Sequence, residues 1–154
     1  METLSEGVVC ERASIDECYL DCTELAHSLL RQHGGVPPLP TAEQMADIHV
    51  TGAAVSTAEW WRRPLEEWDP NEAALAAGAT VVAAARQRVE QQLGYTCSAG
   101  VAPTKILAKL CSGLHKPRQQ TVVSFAAIPG ASGLSEQYFL LHHYSAFTEY
   151  AETH

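Results

Sequence analysis

Basic residues are scarce: ten Lys and Arg stand against 18 Asp and Glu in 154 residues, for a formal net charge of −8. A surface of that sign repels polyanions, so any contact with nucleic acid must use local basic groups. There is no CxxC pair among the five cysteines, at positions 10, 18, 22, 97 and 111. Their odd number argues against a complete internal disulfide framework and fits a reduced intracellular compartment. Cys18 and Cys22 lie roughly 13 Å apart by strand rise, too far for one disulfide or one shared metal, which leaves core packing as their role. No stretch approaches the roughly 20 apolar residues of a membrane span, and the N-terminus lacks a basic and apolar signal pattern. A soluble chain, not secreted by that route, is expected. What the sequence does have is 46% hydrophobic and 18% charged residues, a globular composition at a length that suits one domain.

The segment from Glu11 to Asp21 spends its charge unusually. After Asp16 the residues alternate, with Cys18, Leu20 and Cys22 on one side and Glu17, Tyr19 and Asp21 on the other, the period of a half-buried strand. Val8, Val9 and Cys10 form a second short apolar run upstream, so Glu11 to Ile15 reads as the bend between two strands. Neighbouring strand residues point to opposite faces, and only such a bend brings Asp16 and Glu17 to one rim. Paired carboxylates there suit Mg²⁺, which takes a few protein oxygens plus substrate phosphates and water. The alternative is that both are solvated turn residues, since Asp favours turns and both acids are usually exposed.

Downstream, Thr23 is expected to cap a helix from Glu24 that ends at Gly34-Gly35. The stretch 36–69 reads as an insertion, opened by Val36-Pro37-Pro38-Leu39-Pro40 and carrying two capping-box starts at Thr41–Gln44 and Ser56–Glu59. Trp60, Trp61 and Trp68, with Arg62 and Arg63 between them, are read as anchors of this insertion; the competing reading is an aromatic and basic nucleic-acid surface. Asp69-Pro70-Asn71-Glu72 starts a long helix that Gly94 closes, with Arg86 and its charged neighbours on the exposed side. A strand follows over Tyr95 to Ala102, then a helix opened by Pro103-Thr104, with Ile106, Leu107, Leu110, Cys111 and Leu114 as its buried face, and a strand from Thr121 to Phe125. No sustained period follows Ala126. The order suits an α+β fold, a mainly antiparallel sheet with helices packed on one face.

Lys105, Lys109, Lys116 and Arg118 gather four of the ten basic residues within fourteen positions. Ammonium groups suit phosphate oxygens whose charge shifts during phosphoryl transfer, although the same residues also read as an ordinary solvated helix face. Acids for metal and lysines for phosphate together suggest nucleotidyl transfer.

The Glu11–Asp21 segment, ERASIDECYLD, resembles the catalytic motif of the Y-family translesion DNA polymerases. Ser98–Ala102 followed by Lys105, then Leu107-Ala108-Lys109-Leu110 and Lys116-Pro117, resembles a second stretch of that family's palm. The likeness covers roughly Val8 to Phe125 and is weakest from Val36 to Asp69. It implies a partial polymerase palm over 1–125, with a tail over 126–154 that does not resemble the family's thumb. The residue matching Asp16 would bridge two Mg²⁺ ions, and the one matching Glu17 would bind the ion that activates the primer 3′ hydroxyl. The residue matching Lys116 would contact the incoming triphosphate with Lys109 nearby, and Lys105 and Arg118 would contact DNA or phosphate. The implied partners are primed DNA and a deoxynucleoside triphosphate, with no membrane and no stable oligomer; the implied setting is nuclear DNA repair.

The family's first catalytic aspartate lies in an upstream strand, and only seven residues precede Val8. The isolated chain is therefore expected to lack that ligand and to extend primers negligibly. The rival function is a non-catalytic DNA-binding or regulatory chain that keeps the palm as a scaffold. A nucleotide cyclase is a third reading, against which the Lys116-Pro117 motif weighs.

Overall fold

The computed structural model describes residues 7–129 and, as backbone, 138–144. Along the chain come β1 (Val9–Arg12), β2 (Glu17–Asp21), α1 (Thr23–Gln32), α2 (Ala42–Ala46), β3 (Ile48–Thr51), α3 (Thr57–Trp61), α4 (Pro70–Leu93), β4 (Thr96–Ala102), α5 (Lys105–Ser112), β5 (Gln120–Val123) and β6 (Tyr138–Tyr144). The strands form one six-stranded sheet in the order β1-β2-β6-β4-β5-β3. Three pairings, β1–β2, β2–β6 and β4–β6, are antiparallel; β4–β5 and β3–β5 are parallel. The α+β class and the mainly antiparallel sheet expected from the sequence are what the chain adopts.

The helices, expected on one face, pack on both faces of the sheet. Cys97, Ala99 and Val101 of β4 and Val122 of β5 pack with Leu75, Ala76, Ala79, Val82 and Ala83 of α4, and α1 lies beside α4. On the other face Ala102 and Val123 pack with Ala108 and Cys111 of α5. The crossing at β4 is set by Gly100, where a Cβ would stand 1.9 Å from the Ala108 carbonyl oxygen. Only small residues fit there. The buried side of α5 is accordingly Ala108, Cys111 and Ser112, while Ile106, Leu110 and Leu114, expected to be buried, are exposed.

Local signals explain most boundaries. Asp69 accepts from Asn71 N at 2.9 Å and Glu72 N at 3.3 Å, Pro70 takes the first helical position, and Gly94 ends α4 at φ 72°. Both capping boxes form, at Thr41 and Ser56. Helix α1 begins one residue earlier than expected: Thr23 is already helical, and Asp21 Oδ1 accepts from its backbone N–H at 3.0 Å. The 36–69 stretch supplies β3 to the sheet edge, and its Trp60, Trp61 and Trp68 are buried. The Arg63 guanidinium lies 4.0 Å from the Trp68 ring centroid, so these residues anchor this stretch. Arg86, expected on the exposed side of α4, is 7% exposed; it falls seven residues after Ala79 and four after Val82, on the core-facing stripe.

The sequence showed no period beyond Ala126, yet β6 lies between β2 and β4. Tyr-Phe-Leu-Leu-His-His-Tyr does not alternate, and a strand paired on both edges has no need to present one solvated face. The rest of the expected tail, 130–137 and 145–154, and residues 1–6 lie outside the described residues.

Candidate active site

The bend between β1 and β2 is closed by the Glu17 carbonyl, which accepts from Ala13 N at 3.0 Å and Ser14 N at 3.2 Å. It places Ser14 Oγ 3.0 Å from Asp16 Oδ1 and 3.4 Å from Glu17 Oε2. The two carboxylates therefore converge on one hydroxyl, as sharing a rim requires. From the opposite side Lys109 Nζ donates to the same Glu17 Oε2 at 3.0 Å. The hydrogen bond and the negative charge of Glu17 raise the Lys109 pKa above its ordinary value, so this ammonium stays charged at any physiological pH. One turn back on α5, Lys105 pairs with Glu11 and lies 5.5 Å from the Tyr19 ring centroid.

Strand register carries the site toward the rest of the lysine cluster. Glu17 stands opposite His142 of β6, which stands opposite Ser98 of β4; one residue on, Cys18, Leu141, Ala99 and Gln120 form a continuous row across four strands. The loop holding Lys116 runs directly into Gln120, so the carboxylates and this loop share one end of the sheet, separated by three strand spacings, or roughly 14 Å. Lys116 is exposed. Arg118 is drawn away from the carboxylates: its guanidinium pairs with Glu90 of α4, Nη2 to Oε1 at 2.8 Å and Nε to Oε2 at 3.1 Å. The structure thus brings Asp16, Glu17, Lys109 and Lys105 together and seats Arg118 across the sheet.

Sequence reasoning passed over Ser14 and Glu11. Ser14 sits two residues before Asp16 in a bend, a spacing at which a serine hydroxyl commonly reaches neighbouring turn groups. Glu11 had no such signal, because its partner Lys105 is distant in sequence. The donor set of two carboxylates and a hydroxyl suits a hard, oxygen-seeking cation such as Mg²⁺ and not a thiolate-seeking metal. Burial raises the Cys18 thiol to about 12, which keeps it protonated within the hairpin. Among the described residues no group of three or more His, Cys, Asp or Glu is placed to hold a metal.

Residues 1–113 match the impB/mucB/samB family. The chain belongs to that family. The matched span takes in the hairpin carboxylates and all of α5. Among relatives, a DNA polymerase eta of Arabidopsis thaliana is 38% identical over 81% of this chain and 20% of its own length. A DNA polymerase iota of Mus musculus is 35% identical over 80% of this chain and 15% of its own length. A DNA polymerase IV of Salmonella choleraesuis is 51% identical over 29% of this chain and 13% of its own length. The family member described here thus spans about a fifth or less of the length of these relatives.

Proposed function

We propose that this chain is the palm portion of a translesion DNA polymerase and takes part in nucleotidyl transfer from a deoxynucleoside triphosphate to a primer 3′ end. The observation that carries the reading is the convergence of Asp16, Glu17 and Lys109 at the sheet end that also carries the Lys116 loop. Asp16 and Glu17 would hold Mg²⁺. When bound, that ion would neutralise phosphate charge and favour the deprotonated 3′ oxygen. In the transfer the 3′ hydroxyl loses its proton to solvent, its oxygen bonds to the α-phosphorus, the bond from that phosphorus to the oxygen bridging to the β-phosphate breaks, and pyrophosphate leaves with the negative charge. Lys116 and Lys109 would stabilise that charge as it moves onto the leaving phosphates. Lys105, tied to Glu11 beside Tyr19, extends the positive edge toward the DNA backbone, and Arg118 lies outside this path as long as Glu90 holds it.

In this reading residues 1–125, completed by β6, form the palm, and the partners are primed DNA and the incoming nucleotide in nuclear repair of damaged templates. Among the described residues no helix is long and apolar enough to cross a membrane. The test is Mn²⁺ binding, a spin-active substitute for Mg²⁺, followed by electron paramagnetic resonance in the presence of dATP. Asp16→Asn and Glu17→Gln should each weaken Mn²⁺ binding by about tenfold or more, ~1.4 kcal/mol. Unchanged affinity in both variants would remove these residues from the metal site.

A further inference from the structure

The loop between α5 and β5 is heavily constrained, in large part from the far face of the sheet. Arg118 adopts φ 58°, a left-handed conformation that side-chain-bearing residues seldom take unless their surroundings fix it. Its carbonyl accepts from Arg86 Nη2 at 2.6 Å. The same guanidinium donates from Nε to the Cys97 carbonyl of β4 at 2.9 Å and lies with Nη1 3.5 Å from Gln120 Oε1 of β5. Gln120, fully buried, in turn donates to the Ala79 carbonyl of α4 at 2.8 Å. Arg86 thus spends a buried positive charge on three neutral acceptors in two strands and a loop.

Burying a guanidinium is costly and a core position has cheaper occupants. The three acceptors indicate what this charge does. Its fork spans β4, β5 and the carbonyl two residues after Lys116, an arrangement a hydrophobic residue cannot reproduce and a lysine's single nitrogen reproduces poorly. Four residues along α4, Glu90 holds the Arg118 side chain, so the helix grips both the main chain and the side chain of one loop residue. At the other flank, His115 stacks on His49 of β3 with ring centroids 3.9 Å apart, and its Nδ1 lies 2.7 Å from Thr121 Oγ1. Gln119 is tied through its carbonyl to Ala99 N at 3.0 Å. Lys116 is left as an exposed side chain on a backbone held from both sides.

We propose that Arg86 is a positioning residue for nucleotide binding: it fixes the backbone from which Lys116 reaches the triphosphate, acting from behind the sheet without touching the ligand. The inference rests on the reading of Lys116 as a phosphate-binding residue. A rigid loop presents the ammonium with little ordering entropy left to lose on binding, whereas a loose one must be ordered by the ligand itself.

The test is an NMR titration of the ¹⁵N-labelled 154-residue chain with Mg²⁺·dATP, which reads dissociation constants even in the millimolar range. Four proteins are compared: wild type, Lys116→Ala, Arg86→Met and Val82→Ala. Val82 is fully buried one turn from Arg86 on the same helix, so its truncation lowers stability without touching the loop. Lys116→Ala should weaken binding; Arg86→Met should weaken it by roughly fivefold or more and lower the heteronuclear NOE of the amides at 116, 118 and 119. Val82→Ala should lower the melting temperature and leave both readings at the wild-type value. If Lys116→Ala weakens binding and Arg86→Met does not, the positioning role is wrong. If Val82→Ala weakens binding as much as Arg86→Met, the effect is general destabilisation and the role is again wrong. If Lys116→Ala changes nothing, the phosphate-binding reading of Lys116 fails, and the positioning role falls with it.

Discussion

Two demands compete for Lys109. In the structure it donates to Glu17 Oε2, an oxygen that a cation would also seek, and it projects from the helix that leads toward the proposed triphosphate-binding loop. An ammonium and a metal ion cannot both claim the same carboxylate lone pair at full strength, so the pair opposes metal binding until phosphate offers the lysine another partner. Replacing it should therefore have effects of opposite sign. Lys109→Met is expected to tighten Mn²⁺ binding a few-fold, about 2–5 times, when nucleotide is absent, and to weaken binding of Mg²⁺·dATP. Electron paramagnetic resonance for the first and a fluorescent nucleotide for the second measure the two arms. Weakened binding in both would mean that Lys109 is no competitor but only part of the site's scaffold. The approach of Asp16 to Glu17 was legible at this scale because both lie within one bend. The Lys109–Glu17 contact was not, since the partners are 92 positions apart in the chain and nothing local pairs them. Arg86 was misassigned for a related reason: charged residues are mostly exposed, and only its distant carbonyl partners make a buried guanidinium tolerable.

Elements were easier to read where their ends carry chemistry. Asp69-Pro70 and Gly94 bounded α4, and the Thr41 and Ser56 boxes marked α2 and α3, because capping is a contact between near neighbours. The orientation of α5 was read incorrectly. The largest apolar residues were assigned to its buried side, but Gly100 on β4 requires the closest approach, and Ala108, Cys111 and Ser112 satisfy it. That close fit makes a prediction at this scale. In Gly100→Ala the new Cβ would lie 1.9 Å from the Ala108 carbonyl, 2.6 Å from Ser112 N and 2.7 Å from Cys111 Sγ. Two of these are helix backbone, which cannot rotate aside, so α5 must move as a unit. Overpacking of this kind costs typically 1–3 kcal/mol, and at this chain length each kcal/mol lowers the melting temperature by roughly 2–4 °C. Calorimetry should show a drop of about 2–12 °C, and the displaced helix should carry Lys109 away from Glu17, weakening Mg²⁺·dATP binding as well. A variant as stable as wild type would show that α5 is not seated on Gly100.

Across the whole molecule, the decisive element is the one that periodicity did not reveal. β6 comes last among the described elements yet pairs with β2 over Glu17–Asp21 and with β4 over Thr96–Ala102. It joins the strand that carries the carboxylates to the strand on which α5 and α4 pack. Without it, among the described residues, the hairpin has no hydrogen-bonded connection to the rest of the sheet, and the row from Cys18 to Gln120 is broken. Ladder hydrogen bonds contribute about 0.5–1.5 kcal/mol each, so two full ladders are worth on the order of 10 kcal/mol, comparable to the roughly 5–15 kcal/mol that holds a typical domain together. A chain ending at Pro129 is therefore expected to fail to fold cooperatively: its chemical denaturation, followed by tryptophan fluorescence, should lose the sigmoidal transition, because Trp60, Trp61 and Trp68 report on the core. A cooperative transition retained by that truncated chain would show that the hairpin and the β4–β5–β3 half of the sheet stand without the strand between them.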